Sequence, residues 1–388
     1  MFVKRKSSED HTVNEWNPNG TIYDGLKNRV KHRWLNHRFQ KYQEMRPNGP
    51  EIFSQARTLY GYRMVDSIPN ADVYNLHWIN QFIDPLPFFK EVDVPVVWTL
   101  HDMNPFTGGC HYNAGCRRFE DRCGQCPQLG SNRESDLSRT VWARKQEAYR
   151  HVLDTGRLHI VALCEWMAQE VRNSSLLTDA PVHIIPNGLD HHTFRPRETQ
   201  GMRSALGIPK NHRIVLFVAQ SAQNHRKGFD LLAEALGALE QVDVTLLSIG
   251  GKEPELDTSL SHLHLGTIES DLLLSVFYSL ADLFVIPSRQ DNLPNTVLES
   301  MACGTPVVGF DTGGIPDMVR PGETGWLAEV GNVRALNEVI EQALRDERER
   351  EQMGERAREV VEEEYTLERQ ARQYKELYED ILQTNGDT

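Results

Sequence analysis

Apolar runs of strand length recur along the chain, each closed by a polar or glycine-bearing turn and followed by a stretch of helical period. In the first half, segments 73–78, 94–100, 159–163 and 182–186 predict strands, and 138–153 and 165–174 predict helices. The turn Pro186-Asn187-Gly188-Leu189-Asp190 interrupts the pattern, which then restarts. Strands are predicted at 213–218, 242–250, 262–265, 283–287 and 305–310, helices at 230–239 and 271–281, and a last helix at 367–382. Strands alternating with helices argue for α/β architecture with two doubly wound parallel sheets. The expected domains are 1–188 and 189–366, with a terminal helix in 367–388 and an active site in the cleft between the domains.

The densest chemistry lies between the strands at 283–287 and 305–310. Asp291 and Glu299 stand eight positions apart, with the start of a helix between them. Ligands of such strand–turn–helix–strand units sit at the carboxyl ends of the strands. Pro294 suits a first helical turn, where its missing N–H costs nothing. The N–H groups of that turn, near Asn292, Leu293 and Asn295, would face an anion such as a pyrophosphate. Glu299 would then hold ribose hydroxyls and Asp291 sugar hydroxyls. Lys227, in Asn224-His225-Arg226-Lys227-Gly228-Phe229-Asp230, places a cation before a helix, where it can neutralise a leaving diphosphate. His101-Asp102 closes the strand at 94–100, where a His can orient hydroxyls and accept a hydrogen bond without full proton transfer.

The segment from Pro287 to Val308 resembles the donor-site signature of retaining GT-B glycosyltransferases of family 4, in which two Glu residues are separated by seven others and followed by a small-residue-rich helix and Gly-x-Pro-Val. Asp291 stands where the first Glu is usual, one methylene shorter. The resemblance extends to His101-Asp102, to Lys227-Gly228, to Pro186-Asn187-Gly188-Leu189-Asp190 and to Gly313-Gly314-Ile315-Pro316-Asp317. It implies a GT-B fold of two Rossmann-like domains, with the last helix returning to the first domain. It further implies transfer of a sugar from a nucleoside diphosphate sugar (UDP or GDP) to a growing, lipid-linked polysaccharide, with retention at the anomeric carbon. His101, Asp291 and Lys227 are the implied catalytic residues, and Arg226, Lys227, Asp291, Asn292, Leu293 and Glu299 the donor-binding ones. No catalytic cofactor is implied, because positioned cations replace a metal. Relatives usually carry a Gly-Arg pair upstream of the Lys; here Ala219-Gln220-Ser221-Ala222-Gln223 lacks it, and Arg226 is the candidate substitute. Relatives also begin with an apolar strand and a Gly-rich loop, so this chain is expected to open at the second strand of an incomplete first domain. That departure keeps a catalytically impaired binding or scaffolding subunit open as a second reading. A nucleotide-sugar epimerase is a third.

Composition changes this picture little. The 388 residues are 39% hydrophobic and 25% charged, with a formal net charge of −13, which argues against nucleic acid as a partner. No apolar run spans a bilayer and the opening residues lack a signal core, so a cytoplasmic location is expected. Charge is uneven: residues 27–46 hold seven basic side chains against the single acid Glu44, with Trp34, Leu35 and Phe39 interleaved. That segment is a candidate amphipathic helix for anionic headgroups or a lipid-linked diphosphate, giving a peripheral contact on the cytoplasmic face of the inner membrane.

Cys110, Cys116, Cys123 and Cys126 follow His101 with spacing C-x5-C-x6-C-x2-C in a Gly-, Arg- and Asn-rich loop at 107–130. The C-x2-C pair with two further thiols suits a structural tetrathiolate zinc site. An iron–sulfur cluster and uncomplexed redox thiols are the alternatives. Similar cysteine loops occur in family 4 enzymes resembling colanic acid transferases, which build extracellular polysaccharides. Cys164 and Cys303 read as small core residues.

Overall fold

The computed structural model describes residues 1–3, 9–10, 12–16, 37, 39–47, 51–58, 60–239, 243–256 and 260–386. They divide into two compact units, one of Met1–Ala162, Ala168–His183 and Tyr378–Thr388, the other of Leu163–Met167 and Ile184–Leu377.

The first unit is built on a sheet of β3 (Tyr74–Leu76), β4 (Val96–Leu100), β5 (Leu158–Ala162) and β6 (Val182–Ile184), in that order. β3 pairs with β4 and β4 with β5, both in parallel. Every residue of β4 is buried, as expected of a central parallel strand covered on both faces. Trp98 of β4 meets Phe89 of α1 (Pro85–Glu91) and Tyr149 of α2 (Leu137–Asp154), with ring centroids 5.8 Å apart in each pair. Asp84 caps α1 by accepting from Leu86 N–H, and Asp136 caps α2 by accepting from Arg139 N–H. From Tyr378 onward the terminal helix α9 (Leu367–Gly386) belongs to this unit, and Asn75 Nδ2 donates to Tyr378 Oη at 2.7 Å.

Among the described residues, those at the opening of the chain lie outside the four-stranded sheet. β1 (Phe2–Val3) pairs in parallel with β2 (Asn14–Glu15) in a separate two-stranded ribbon, and the Met1 ammonium donates to Thr12 O. The expectation that Met1 to Val3 form the second strand of the main sheet is thereby corrected. Two paired residues satisfy each other's backbone groups locally and leave β3 at the sheet edge.

The second unit is a six-stranded sheet in the order β12-β11-β10-β7-β8-β9, formed by β7 (Arg213–Val218), β8 (Val244–Ile249), β9 (Ser261–His264), β10 (Leu283–Ile286), β11 (Val307–Phe310) and β12 (Gly325–Ala328). All five pairings are parallel. The order reverses between β7 and β10, which is the topological switch point where doubly wound sheets hold ligands. α3 (Glu165–Asn173) begins in this unit, and Asp317 Oδ2 accepts its Glu165 N–H at 2.9 Å. The helices α4 (Phe229–Gly237), α5 (Asp271–Leu280), α6 (Asn295–Ala302), α7 (Val333–Arg345) and α8 (Glu347–Glu364) complete the alternation. In α7 the buried Leu336, Ile340, Ala343 and Leu344 recur at helical spacing against the sheet, while Arg334–Glu338 and Arg345–Glu341 pair outside. Asn332 caps it through Ala335 N–H at 3.0 Å. Among the described residues no helix is long and apolar enough to cross a membrane.

Candidate donor site and its surroundings

Two loops meet at the carboxyl end of the switch point in the second unit. One follows β7 and carries a single 3₁₀ turn, His225–Lys227. The other runs from β10 to α6. Their approach depends on Gly228, whose φ is +68° and whose position leaves no room for a side chain: a Cβ there would lie 1.8 Å from Pro287 O. Arg289 ties the loops together. Its N–H donates to Arg226 O at 2.7 Å, and its guanidinium pairs with Asp230 of α4 at 2.6 Å.

This frame delivers both cations to one carboxylate. Lys227 Nζ donates to Asp291 Oδ2 at 2.6 Å, and Arg226 Nη1 pairs with Asp291 Oδ1 at 3.0 Å. Ser288 Oγ adds a bond to Oδ2 at 3.1 Å, and Arg226 Nη1 also reaches Gln290 O. Asp291 is buried. Burial alone would raise its pKa, but Lys227 and Arg226 outweigh it and hold the carboxyl below its ordinary value. Arg226 therefore serves as a partly buried partner of Asp291 rather than as a surface charge.

Asn292 and Leu293 are buried, and Asn292 Oδ1 accepts from Cys164 Sγ at 3.2 Å. Pro294 occupies the N-cap of α6 rather than its first turn, because the helix begins one residue later, at Asn295. No side chain caps this helix, so its first N–H groups are presented at the carboxyl end of the sheet. Glu299, a turn into α6, accepts from Tyr278 Oη at 2.8 Å. Burial pushes its carboxyl up, partly offset by that hydroxyl, with Asp271 adding to the rise. Gly313 and Gly314 serve the turn from below. A Cβ on Gly313 would lie 1.8 Å from Asp291 O and one on Gly314 2.0 Å from Asn292 O, and Gly314 N–H donates to Asp291 O. They are packing positions for the acidic turn.

In the first unit, His101 follows β4 and His77 follows the neighbouring β3. Their rings stack with centroids 5.2 Å apart, and His77 Nδ1 lies 2.9 Å from His101 Nε2. Desolvation lowers both pKa values; for His77 the repulsion of His101 adds to it, and for His101 the charge of Asp102 opposes it. The 2.9 Å nitrogen–nitrogen contact needs a lone pair on one ring to accept the other's N–H, so at least one imidazole of the pair is neutral. His77 was not singled out from the sequence, although Tyr74-Asn75-Leu76-His77 repeats the strand-then-His pattern of Trp98-Thr99-Leu100-His101. Asp102 points into the unit. Its Oδ2 accepts from Trp78 Nε1 at 3.1 Å and from His111 Nδ1 at 2.7 Å, and Ser54 Oγ completes the row at 2.8 Å from His111 Nε2. Such a row activates a serine only where a substrate reaches its oxygen. Ser54 is 7% and His111 3% exposed, so the row is scaffolding for the loop that bears His101.

The four cysteines of 107–130 line one small cavity of about 20 Å³. Burial pushes the Cys110, Cys123 and Cys126 thiols up to about 12. Beneath them the buried Lys145 donates to Thr107 O at 3.0 Å and to Asn104 O. Among the described residues, no three His, Cys, Asp or Glu side chains are already gathered as a metal-holding group, so the tetrathiolate centre is not a preformed coordination sphere. Cys164 and Cys303 are buried, as core residues should be. Of the basic segment 27–46, Lys27, Arg29, Lys31, Arg33, Trp34, Leu35 and Arg38 lie outside the described residues. Residues 39–43 are helical, with Phe39 stacked on Phe53 at 5.9 Å.

Comparison with known proteins places the switch-point site in context. Residues 198–360 match the model of the family described as glycosyl transferases group 1, and this segment contains Arg226, Lys227, Asp291 and Glu299. N-acetyl-alpha-D-glucosaminyl L-malate synthase of Bacillus anthracis is 29% identical over 208 residues, covering 52% of this chain and 54% of its own. The chain spans about half the length of the curated relatives it matches. Among solved structures, sucrose-phosphate synthase from Thermosynechococcus elongatus superposes with a TM-score of 0.62 at 21% identity, over 81% of this chain and 74% of that one. Anabaena Alr3699/HepE, solved in complex with UDP-glucose, gives a TM-score of 0.53 at 17% identity, over 74% of this chain and 72% of that one. The segment 198–360 thus matches the glycosyl transferases group 1, and the chain shares the α/β fold with parallel sheets of GT-B glycosyltransferase structures.

Proposed function

We propose that this protein transfers a sugar from a nucleoside diphosphate sugar to an acceptor hydroxyl, with retention at the anomeric carbon. One observation carries the reading: Lys227 and Arg226 converge on the buried Asp291 beside the uncapped start of α6, inside the matched segment. A diphosphate leaving group gains negative charge as its bond to the sugar carbon lengthens. Fixed cations and helix N–H groups stabilise that charge without a metal ion.

In this reading Lys227 and Arg226 take the diphosphate oxygens, together with the first N–H groups of α6. Glu299 holds the ribose hydroxyls, in place of part of its bond with Tyr278. Asp291 orients the cations and accepts from sugar hydroxyls. The acceptor oxygen attacks the anomeric carbon from the side that the diphosphate leaves, its proton passes to a departing phosphate oxygen, and no buried nucleophile is needed. His101, held by His77, is assigned to the sugar hydroxyls. The binding of UDP-glucose by the Anabaena relative supports a nucleotide-sugar donor. A lipid-linked polysaccharide acceptor and a peripheral membrane contact belong to the same proposal, on the strength of the basic charge in 27–46.

The test is to incubate the purified chain with UDP-, GDP- and ADP-sugars and a panel of glycan and lipid-linked acceptors, following nucleoside diphosphate release and the anomeric configuration of the product by NMR. Acceptor-dependent release with a product of unchanged configuration is expected. An inverted product would overturn retention. Interconversion of the sugar nucleotide without an acceptor would indicate an epimerase, and no turnover with any donor would favour a binding subunit.

A further inference from the structure

The cysteine loop plays no part in the chemistry above, yet it is built with care. Four of the chain's six cysteines line a single cavity in the first unit. The backbone closes tightly around them, and one sulfur, that of Cys123, has a backbone donor. Gly108 N–H donates to Cys123 Sγ at 3.1 Å, and Leu129 N–H closes the turn after Cys126 by donating to Cys126 O at 3.1 Å. A neutral thiol is a weak acceptor, whereas a metal-bound thiolate gains from each amide directed at it.

The backbone around the thiols is committed to this geometry. Gln125 has φ +47° and Gly124 φ +145°, bending the C-x2-C segment into a tight knuckle. Gly108 permits the close pass over Cys123, since a Cβ there would lie 2.9 Å from its sulfur. Cys126 N–H is held by Asp136 Oδ2 at 2.8 Å, and Cys110 pairs with Phe53 in an antiparallel bridge, so the knuckle is tied to the start of α2 and to the segment at 53. Charge agrees. A divalent ion with four thiolates carries two net negative charges; the buried Lys145 donates to Thr107 O and Arg46 Nε to Gln128 O, so two cations border the loop, against the one carboxylate, Asp136, that holds Cys126 N–H.

We propose that Cys110, Cys116, Cys123 and Cys126 bind one zinc ion as a structural tetrathiolate site. The thiols surround the cavity without yet closing on one point. Binding turns them inward to Zn–S distances of about 2.3 Å and releases one proton from each neutral thiol. The ion then staples a long loop that has little regular structure of its own.

The site is tested on the full chain, independently of any transferase activity. Protein purified under reducing conditions without added metal is analysed for metals, and zinc is released by a mercurial thiol reagent. One equivalent of zinc per chain is expected. Cobalt(II) substituted for it should give the visible bands of a tetrahedral tetrathiolate. Cys123→Ser and Cys116→Ser should each lower zinc content and melting temperature; because either variant could simply misfold, the cobalt spectrum of the wild-type chain serves as the independent readout. Less than about a tenth of an equivalent of zinc in folded protein overturns the site. So does a stoichiometric iron chromophore, a disulfide between any two of these cysteines, or zinc retained in full by both variants.

Discussion

Lys227 Nζ stands 2.6 Å from Asp291 Oδ2, although 64 residues separate them in the chain. The contact is made by backbone. β7 and β10 are neighbours in the sheet, and Gly228 and Pro287 pass closely enough to set the two loops on each other. The cation that would grip a phosphate is thereby already engaged by a carboxylate, and an incoming diphosphate competes with Asp291 for it.

Asp291→Asn is the sharpest test of that competition. Removing the charge releases Lys227 and Arg226 to an anion, so diphosphate binding should tighten by about threefold or more while sugar transfer falls. Isothermal titration of the nucleoside diphosphate against wild type and variant measures the first effect, and a turnover assay the second. Unchanged affinity would mean that the pair does not restrain the cations.

The same carboxylate sets an acid limit. Its folded pKa lies below the ordinary value of 3.8, so the ion pair's contribution to stability is complete above that value and is lost as pH falls through the lower folded value. Removing one partner of a buried ion pair costs about 3–5 kcal/mol, and Lys227, a quarter exposed, argues for the lower end. Urea melts of wild type and Asp291→Asn should differ by a constant margin from pH 7 down to about 4 and draw together as pH falls below 3.8. Parallel curves would contradict the assignment.

Gly228→Ala should destabilise the chain beyond the cost of a left-handed backbone. Gly207 is the control, with φ +69° and open space around it, against φ +68° and a Cβ-to-carbonyl distance of 1.8 Å at Gly228. Gly207→Ala should cost about 1–2 kcal/mol for conformation alone. Gly228→Ala should cost more and also weaken diphosphate binding, because the Lys227 loop must lift off Pro287. Equal melting temperatures for the two variants would show that the close approach is dispensable.

His77 and His101 should both titrate below the ordinary 6.5 when followed by NMR. The unfolded chain then binds more protons in that window, so stability rises with pH as it passes from the folded values up to 6.5. His101→Ala should bring His77 back toward 6.5 and abolish transfer while leaving nucleoside diphosphate affinity nearly intact. A His77 titration unmoved by that change would dissolve the pair.

Much of the second unit was legible because its strands are continuous apolar runs, and a parallel strand buried on both faces has no other pattern. Arg213–Val218 and Leu283–Ile286 fall close to where hydropathy puts them. Asp291 and Lys227 stood out because each sits at a strand-to-helix turn, and Glu299 because it follows Asp291 by eight positions, a turn into the helix. Their mutual contacts did not, since a parallel sheet joins residues far apart in sequence and only the register of β7 on β10 brings them together. The roles of Gly313 and Gly314 were hidden for the same reason: what each glycine excludes is the backbone of residues 291 and 292. The first unit was less readable. β3 and β6 have three residues each, too short for periodicity to mark their ends, and the ribbon of β1 and β2 has only two per strand. His77 escaped notice because its meaning lies in the neighbouring strand.

The central claim is that Lys227 and the start of α6 grip a diphosphate. The direct measurement is the affinity of UDP, GDP and ADP, each beside its monophosphate, for wild type and Lys227→Ala. One diphosphate should bind wild type markedly better than its monophosphate, and the variant should lose that margin while keeping its affinity for the monophosphate. No preference for any diphosphate in wild type, or equal losses for both ligands in the variant, would contradict the account.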